Sequence, residues 1–181
     1  MVDDHPWTRG GLRFTREAMN DVELAALEAS VRDEEACGYL TGPAGDTLCD
    51  YVQQMENVAN KLHARDPETY FRTGRTFFAF NEKRFADAME RAVNAGRPVK
   101  VLYHSHIDAG AYFSPTDAAV MSMGEPPAFE GGPAVMGPGP AWPLAFLVTS
   151  VTDGLLAGHG LFVWDEASRS FVATSFTLED P

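Results

Sequence analysis

The chain has 181 residues, 45% hydrophobic and 22% charged, which is the balance of an ordinary globular domain with its own core. A formal net charge of −12 argues against nucleic-acid binding, which rewards Lys and Arg, and no apolar run approaches the ~20 residues that cross a bilayer. Two cysteines, Cys37 and Cys49, make no disulfide framework, and the first residues lack the basic and apolar regions of a signal peptide. The expected setting is therefore cytoplasmic, with no membrane association.

Residues 12–14 predict a short strand. Residues 16–32 predict a helix with Leu24, Leu27 and Val31 on its inner stripe and alanines around them. Residues 39–41 and 47–54 predict two strands joined by Pro43-Ala44-Gly45-Asp46. Residues 57–73 are polar, with a short strand expected near Tyr70-Phe71. A second helix over residues 81–95 turns Phe85, Met89 and Ala92 inward, with Phe78 extending the stripe and Gly96 stopping it. Val99-Lys100-Val101-Leu102-Tyr103 is a short, largely apolar and β-branched strand. Ser114-Pro115-Thr116-Asp117 has the order of a helix start, with a serine N-cap, a proline at N1 and an acid at N3.

Residues 124–142, GEPPAFEGGPAVMGPGPAW, are too rich in Gly and Pro for a regular element. They read either as a lid or substrate-contact loop or as a disordered insertion, and Gly131-Gly132 within them as a flexible turn. An apolar strand follows over residues 144–151. Residues 154–164 and 170–176 predict a closing hairpin around Asp165-Glu166-Ala167. His159 finds no partner in the sequence and, with His5 and His63, reads as structural or surface. Residues 1–181 read as a single domain without repeat or linker. The element order predicts an α/β fold in which a central mixed sheet is flanked by helices.

The chemistry is concentrated in residues 104–117, HSHIDAGAYFSPTD. On a strand, residues i and i+2 share a face, so His104 and His106 converge. Asp117 follows eleven residues after His106, with Gly110 between to let the chain fold back. Taken alone, Ser114 and Asp117 are a capping pair, and a His-x-His pair on a strand is a structural or surface feature. Together they supply two imidazoles, one carboxylate and a hydroxyl. Two His and one acid are a three-ligand set of the kind catalytic zinc uses, with a fourth position open to water. Such a hydrolase needs a general base that is not a ligand. The best upstream candidate is Glu35 in Glu34-Glu35-Ala36-Cys37-Gly38, with Glu34 its rival.

Glu35-x-Cys37-Gly38, followed after a long gap by His104-Ser105-His106, seven residues, Ser114 and Asp117, resembles the JAMM (MPN-plus) zinc metallopeptidase family, in its bacterial stand-alone branch. Asn57-Val58-Ala59 also resembles that family. The resemblance implies a three-layer α/β fold related to cytidine deaminases. It implies one Zn²⁺ per chain held by His104, His106 and Asp117, with Glu35 as general base and Ser114 stabilising the tetrahedral intermediate. The implied activity is cleavage after the C-terminal Gly-Gly of a ubiquitin-like or sulfur-carrier protein, as a linear peptide or an isopeptide. Two departures stand out. Ile107 replaces a common proline and Asp33 replaces another, which leaves the shape of the loop over residues 107–113 open. Cys37 reads as a small buried residue. A deaminase is disfavoured because no Pro-Cys-x-x-Cys follows the histidines. The alternatives are a non-catalytic MPN-type scaffold subunit and a RadC-like DNA-associated protein.

Overall fold

The computed structural model describes residues 5–180. A 3-10 turn (Pro6–Arg9) leads into β1 (Leu12–Thr15) and α1 (Arg16–Val31). Then come β2 (Cys37–Thr41), β3 (Leu48–Cys49), β4 (Tyr51–Met55), α2 (Ala59–Arg65) and α3 (Glu82–Asn94). The second half holds β5 (Val99–Ile107), α4 (Pro115–Met121), β6 (Ala145–Thr152), β7 (Leu155–Asp165), β8 (Ser170–Thr174) and β9 (Phe176–Glu179).

Six strands form a mixed sheet in the order β4-β2-β5-β6-β7-β8, antiparallel except for the β5–β6 pair. Parallel neighbours need a crossover, and the segment between β5 and β6 supplies it, carrying α4 and the Gly/Pro-rich loop. Strand alternation separates two cores. Val101, Tyr103, Ala145 and Leu147 pack with α1, whereas Leu102 and Phe146 pack with Phe78, Phe85 and Met121 on the other face. Covered on both faces, β5 is buried along nearly its whole length, its polar Lys100, His104, Ser105 and His106 included.

Several expectations need correction. The inner face of α1 is Ala18, Met19, Val22, Ala25, Ala26 and Ala29, whereas Leu24 is 54% and Val31 87% exposed. Small residues let the helix backbone lie close to the sheet, so the alanines, not the leucines, mark the contact. The stretch over residues 47–54 is two strands, broken at Asp50, and they serve different sheets. β3 and β9 flank β1 in a small parallel sheet that no local pattern announced. Residues 170–176 likewise split after Thr174, and Phe176 begins β9. No strand forms at Tyr70-Phe71, and α2 occupies part of the polar stretch that precedes it.

The loop over residues 124–142 has no regular element, only a bridge between Glu125 and Val135. Glycine is required at its neck. A Cβ at Gly124 would lie 2.0 Å from the Val135 carbonyl oxygen, and one at Gly137 would lie 2.1 Å from that of Ser122. Trp142 then anchors the far end edge-on to Phe85, at 5.0 Å between ring centroids.

His159 does have partners. Its Nε2 lies 2.9 Å from Glu23 Oε1 and its Nδ1 2.9 Å from Thr149 Oγ1, so it joins α1 to the sheet as a structural residue. His63 Nδ1 lies 2.7 Å from the Tyr70 carbonyl, and exposed His5 stands edge-on to Trp7. No helix among the described residues is long and apolar enough to cross a membrane.

Candidate metal centre

β5 delivers His104 and His106 from one face of its buried end, and α4 delivers Asp117 from its first turn. All three are buried. His104 Nε2 and His106 Nε2 lie 3.1 Å apart, and Asp117 Oδ2 lies 3.2 Å from the first and 3.4 Å from the second. A tetrahedral ion with bonds of 2.0–2.1 Å separates its ligands by ~3.3 Å, so this triangle has the edges of a zinc site. His106 Nδ1 lies 2.8 Å from the Gly110 carbonyl, which places its proton there and leaves the Nε2 lone pair directed at the cluster. Phe78 stacks on His104 at 4.3 Å and Tyr112 stands beside His106 at 5.2 Å, fixing the ring planes.

Both readings of Ser114 and Asp117 hold at once. Ser114 Oγ accepts from the Asp117 N–H at 3.0 Å, and Asp117 Oδ2 accepts from the Ser114 N–H at 3.0 Å, which is a capping box. The Ser114 hydroxyl also donates to Asp117 Oδ2 at 2.6 Å. The cap thereby aims the carboxylate at the histidines. Burial pushes the Asp117 carboxyl up, but the charge of His104 and its polar contacts with His104, His106 and Ser114 outweigh it and hold it well below the usual range. Burial pulls His106 down, and the hydrogen bond and charge of Asp117 with the Gly110 carbonyl bring it above its ordinary value.

Hydrogen bonds hold the loop after His106, where the common proline is absent. Asp108 adopts a left-handed φ of 53°, and its N–H donates to the Val151 carbonyl at 2.8 Å. Its carboxylate accepts from the Asp153 N–H at 3.0 Å and from Arg75 at 2.9 Å. Ser150 Oγ donates to the Ala109 carbonyl at 2.6 Å.

Glu35 precedes β2. Cys37 faces His104 in the β2–β5 register, and the Ser105 N–H donates to the Ala36 carbonyl at 3.0 Å, which carries Glu35 alongside His106. Its side chain is 5% exposed, and Oε2 is buried without a hydrogen-bond partner among the described residues. Burial, then the charge of Asp117, raises the Glu35 carboxyl well above its ordinary range, and Arg72 opposes them. Glu34 turns away, accepting from Asn60 Nδ2 at 3.0 Å.

Sequence reasoning missed what holds Glu35. Asn57 Nδ2 donates to the Glu35 and Phe77 carbonyls, each at 3.0 Å, and its Oδ1 accepts from the Ala59 and Ala79 N–H groups. The Glu35 N–H donates to the Gly74 carbonyl at 2.6 Å. The resemblance had picked out Asn57-Val58-Ala59, but nothing local tied Asn57 to the Glu35 backbone. Gly38 has a similar necessity, since a Cβ there would lie 2.4 Å from the Gln53 carbonyl oxygen and 2.5 Å from the Tyr103 ring. Cys37 is no nucleophile, because burial, with Glu35 and Glu34 adding, pushes its thiol up to about 12.

The model of the family described as prokaryotic homologs of the JAB domain matches residues 18–153, which include every residue of this centre. The chain belongs to that family. Within this JAB domain the His104, His106 and Asp117 cluster is a site that could bind a metal ion. No curated protein matches the chain. A solution structure from Desulfitobacterium hafniense is similar over 94% of both chains at 15% identity, with a TM-score of 0.61. One from Salinibacter ruber is similar over 94% of this chain and 93% of its own at 24% identity, with a TM-score of 0.55. Those two show a likeness of fold. A JAB1/MPN domain protein of Archaeoglobus fulgidus aligns over 94% of this chain and 99% of its own at 11% identity, with a TM-score of 0.49.

Proposed function

We propose that this JAB domain is a zinc-dependent hydrolase that cuts a peptide or isopeptide bond after the C-terminal Gly-Gly of a ubiquitin-like or sulfur-carrier protein. One observation carries the reading: a buried triangle of two Nε2 atoms and one carboxylate oxygen at zinc-ligand spacing, beside a buried carboxylate with an oxygen unpartnered among the described residues. The donor set of two imidazoles and one carboxylate suits zinc and leaves a position open. A non-catalytic scaffold has no use for a buried acid held without a partner, whereas a general base needs a free oxygen.

Zinc, when bound, supplies a Lewis acid and a water that ionises near neutral pH. His104, His106 and Asp117 would hold it. Glu35 takes the proton of the attacking water and passes it to the leaving nitrogen as the C–N bond breaks. Its raised affinity for a proton suits both steps. Ser114 has one proton to give. Were Asp117 to hold a cation, that hydroxyl would be free to donate to the carbonyl oxygen as its charge develops.

The test is elemental analysis joined to a cleavage assay. We expect one zinc per chain, lost in a His104→Ala, His106→Ala double variant. We expect release of a ubiquitin-like protein from a Gly-Gly fusion, with little release when Gly-Gly becomes Ala-Ala. Ser114→Ala should slow turnover on the order of 10² to 10³ while keeping the metal. Full zinc occupancy in the double variant would sink the ligand assignment, and efficient cleavage of unfolded casein would make the chain a general protease.

A further inference from the structure

A cavity of about 200 Å³ includes in its lining Arg72, whose charge acts on the Glu35 carboxyl, and so lies close to the metal centre. Tyr70, Phe71, Phe77, Pro126 and Pro127 wall it, and Thr116, the neighbour of Asp117, lies in its lining. Two segments far apart in the chain therefore meet there: the turn after α2 and the neck of the Gly/Pro-rich loop. Arg72 is the one charged residue of the lining. Its guanidinium lies 5.3 Å from the Phe71 ring centroid, and its Nε is buried without a hydrogen-bond partner among the described residues. Among the described residues it makes no salt bridge, in a chain with 26 acidic and 14 basic residues. An arginine left unpaired beside such a centre is not short of available acids.

We propose that this cavity is the subsite for the residue immediately after the scissile bond, and that this residue has an apolar side chain and a free α-carboxylate that Arg72 receives. The inference rests on the hydrolase reading above. Apolar walls with one convergent cation match an amino acid that is both greasy and anionic. The Gly-Gly side of the substrate cannot satisfy such a cavity, because glycine has no side chain to fill it and no free carboxylate before the cut. The leaving group can. Water's oxygen bonds to the glycyl carbonyl carbon, the C–N bond breaks, and the nitrogen leaves with a proton as a single apolar amino acid.

Two measurements test this. In the first, the zinc-loaded full chain hydrolyses peptides ending in Gly-Gly-Phe, offered as the free acid and as the C-terminal amide. The acid should be preferred on the order of 10-fold to 100-fold, mainly through KM. Arg72→Gln should abolish that preference and Arg72→Lys should keep part of it. The acid-to-amide ratio cancels any influence of Arg72 on Glu35. Equal cleavage of acid and amide, or the same preference in Arg72→Gln, would overturn the subsite.

In the second, the metal-free full chain is titrated with N-acetyl-L-phenylalanine or its amide and followed by NMR. The acid alone should perturb the Phe77 and Thr116 amides, and not in Arg72→Gln. That result with no hydrolysis of either peptide would leave the subsite standing and refute the hydrolase reading. No perturbation, or equal perturbation by acid and amide, would overturn the subsite itself.

Discussion

Glu35 concentrates the tension between stability and chemistry in this molecule. Its carbonyl and N–H are both tied down, by Asn57 and Gly74, while one carboxylate oxygen finds no hydrogen-bond partner among the described residues. A buried acceptor without a donor costs roughly 1–3 kcal/mol, and more when charged. Glu35→Gln should therefore abolish turnover, leave zinc binding intact and stabilise the metal-free fold. The sign of the pH dependence follows from the raised pKa. The neutral acid's contribution is fully present below the unfolded value of about 4.5 and is lost as pH rises through the folded value. The gain from Glu35→Gln should thus be small near pH 4.5 and grow towards neutrality, on the order of 1–3 kcal/mol by urea denaturation in chelator. A gain that shrinks as pH rises would contradict this account. The acid itself was legible from its place before Cys37-Gly38. Its raised pKa was not, since that depends on burial and on the charges of Asp117 and Arg72, residues far off in sequence.

At the scale of elements, α1 shows how a correct helix can carry an incorrect face. Its apolar residues include two large ones that point to solvent, while its alanines meet the sheet. Side-chain size therefore misleads where a helix packs closely, because close packing excludes large side chains. Ala26→Leu should cost about 1–3 kcal/mol by overpacking, whereas Val31→Lys should stay within about 0.5 kcal/mol. Thermal melts of the two variants check this, and equal losses would restore the leucine-face reading. α4 is the opposite case. Its Ser-Pro-x-Asp start was readable to the residue, because capping is a local bargain between a side chain and the next turn's N–H groups.

At the scale of the whole molecule, Lys100 joins the two sheets. It lies in central β5, fully buried, and its Nζ donates to the Pro43, Asp46 and Leu48 carbonyls at 2.7 Å each, with Leu48 in the small sheet. Burial lowers its pKa, with Cys49, Asp46 and Asp50 opposing, and three carbonyl dipoles take the place of water. Lys100→Met should cost about 2–4 kcal/mol, since those carbonyls lose their donor, while zinc stoichiometry stays unchanged. Unchanged stability would mean that the carbonyls find water instead. What the sequence determined by itself is whatever neighbours along the chain decide: strands and helices, the i, i+2 convergence of His104 and His106, and the cap that presents Asp117. The family followed from those residues and their spacing. Only the tertiary structure decided the second sheet, the Asn57 clamp, the Lys100 tie and the cavity at Arg72. Each of these joins segments distant in sequence, and such contacts depend on chain paths and packing distances that no local periodicity encodes.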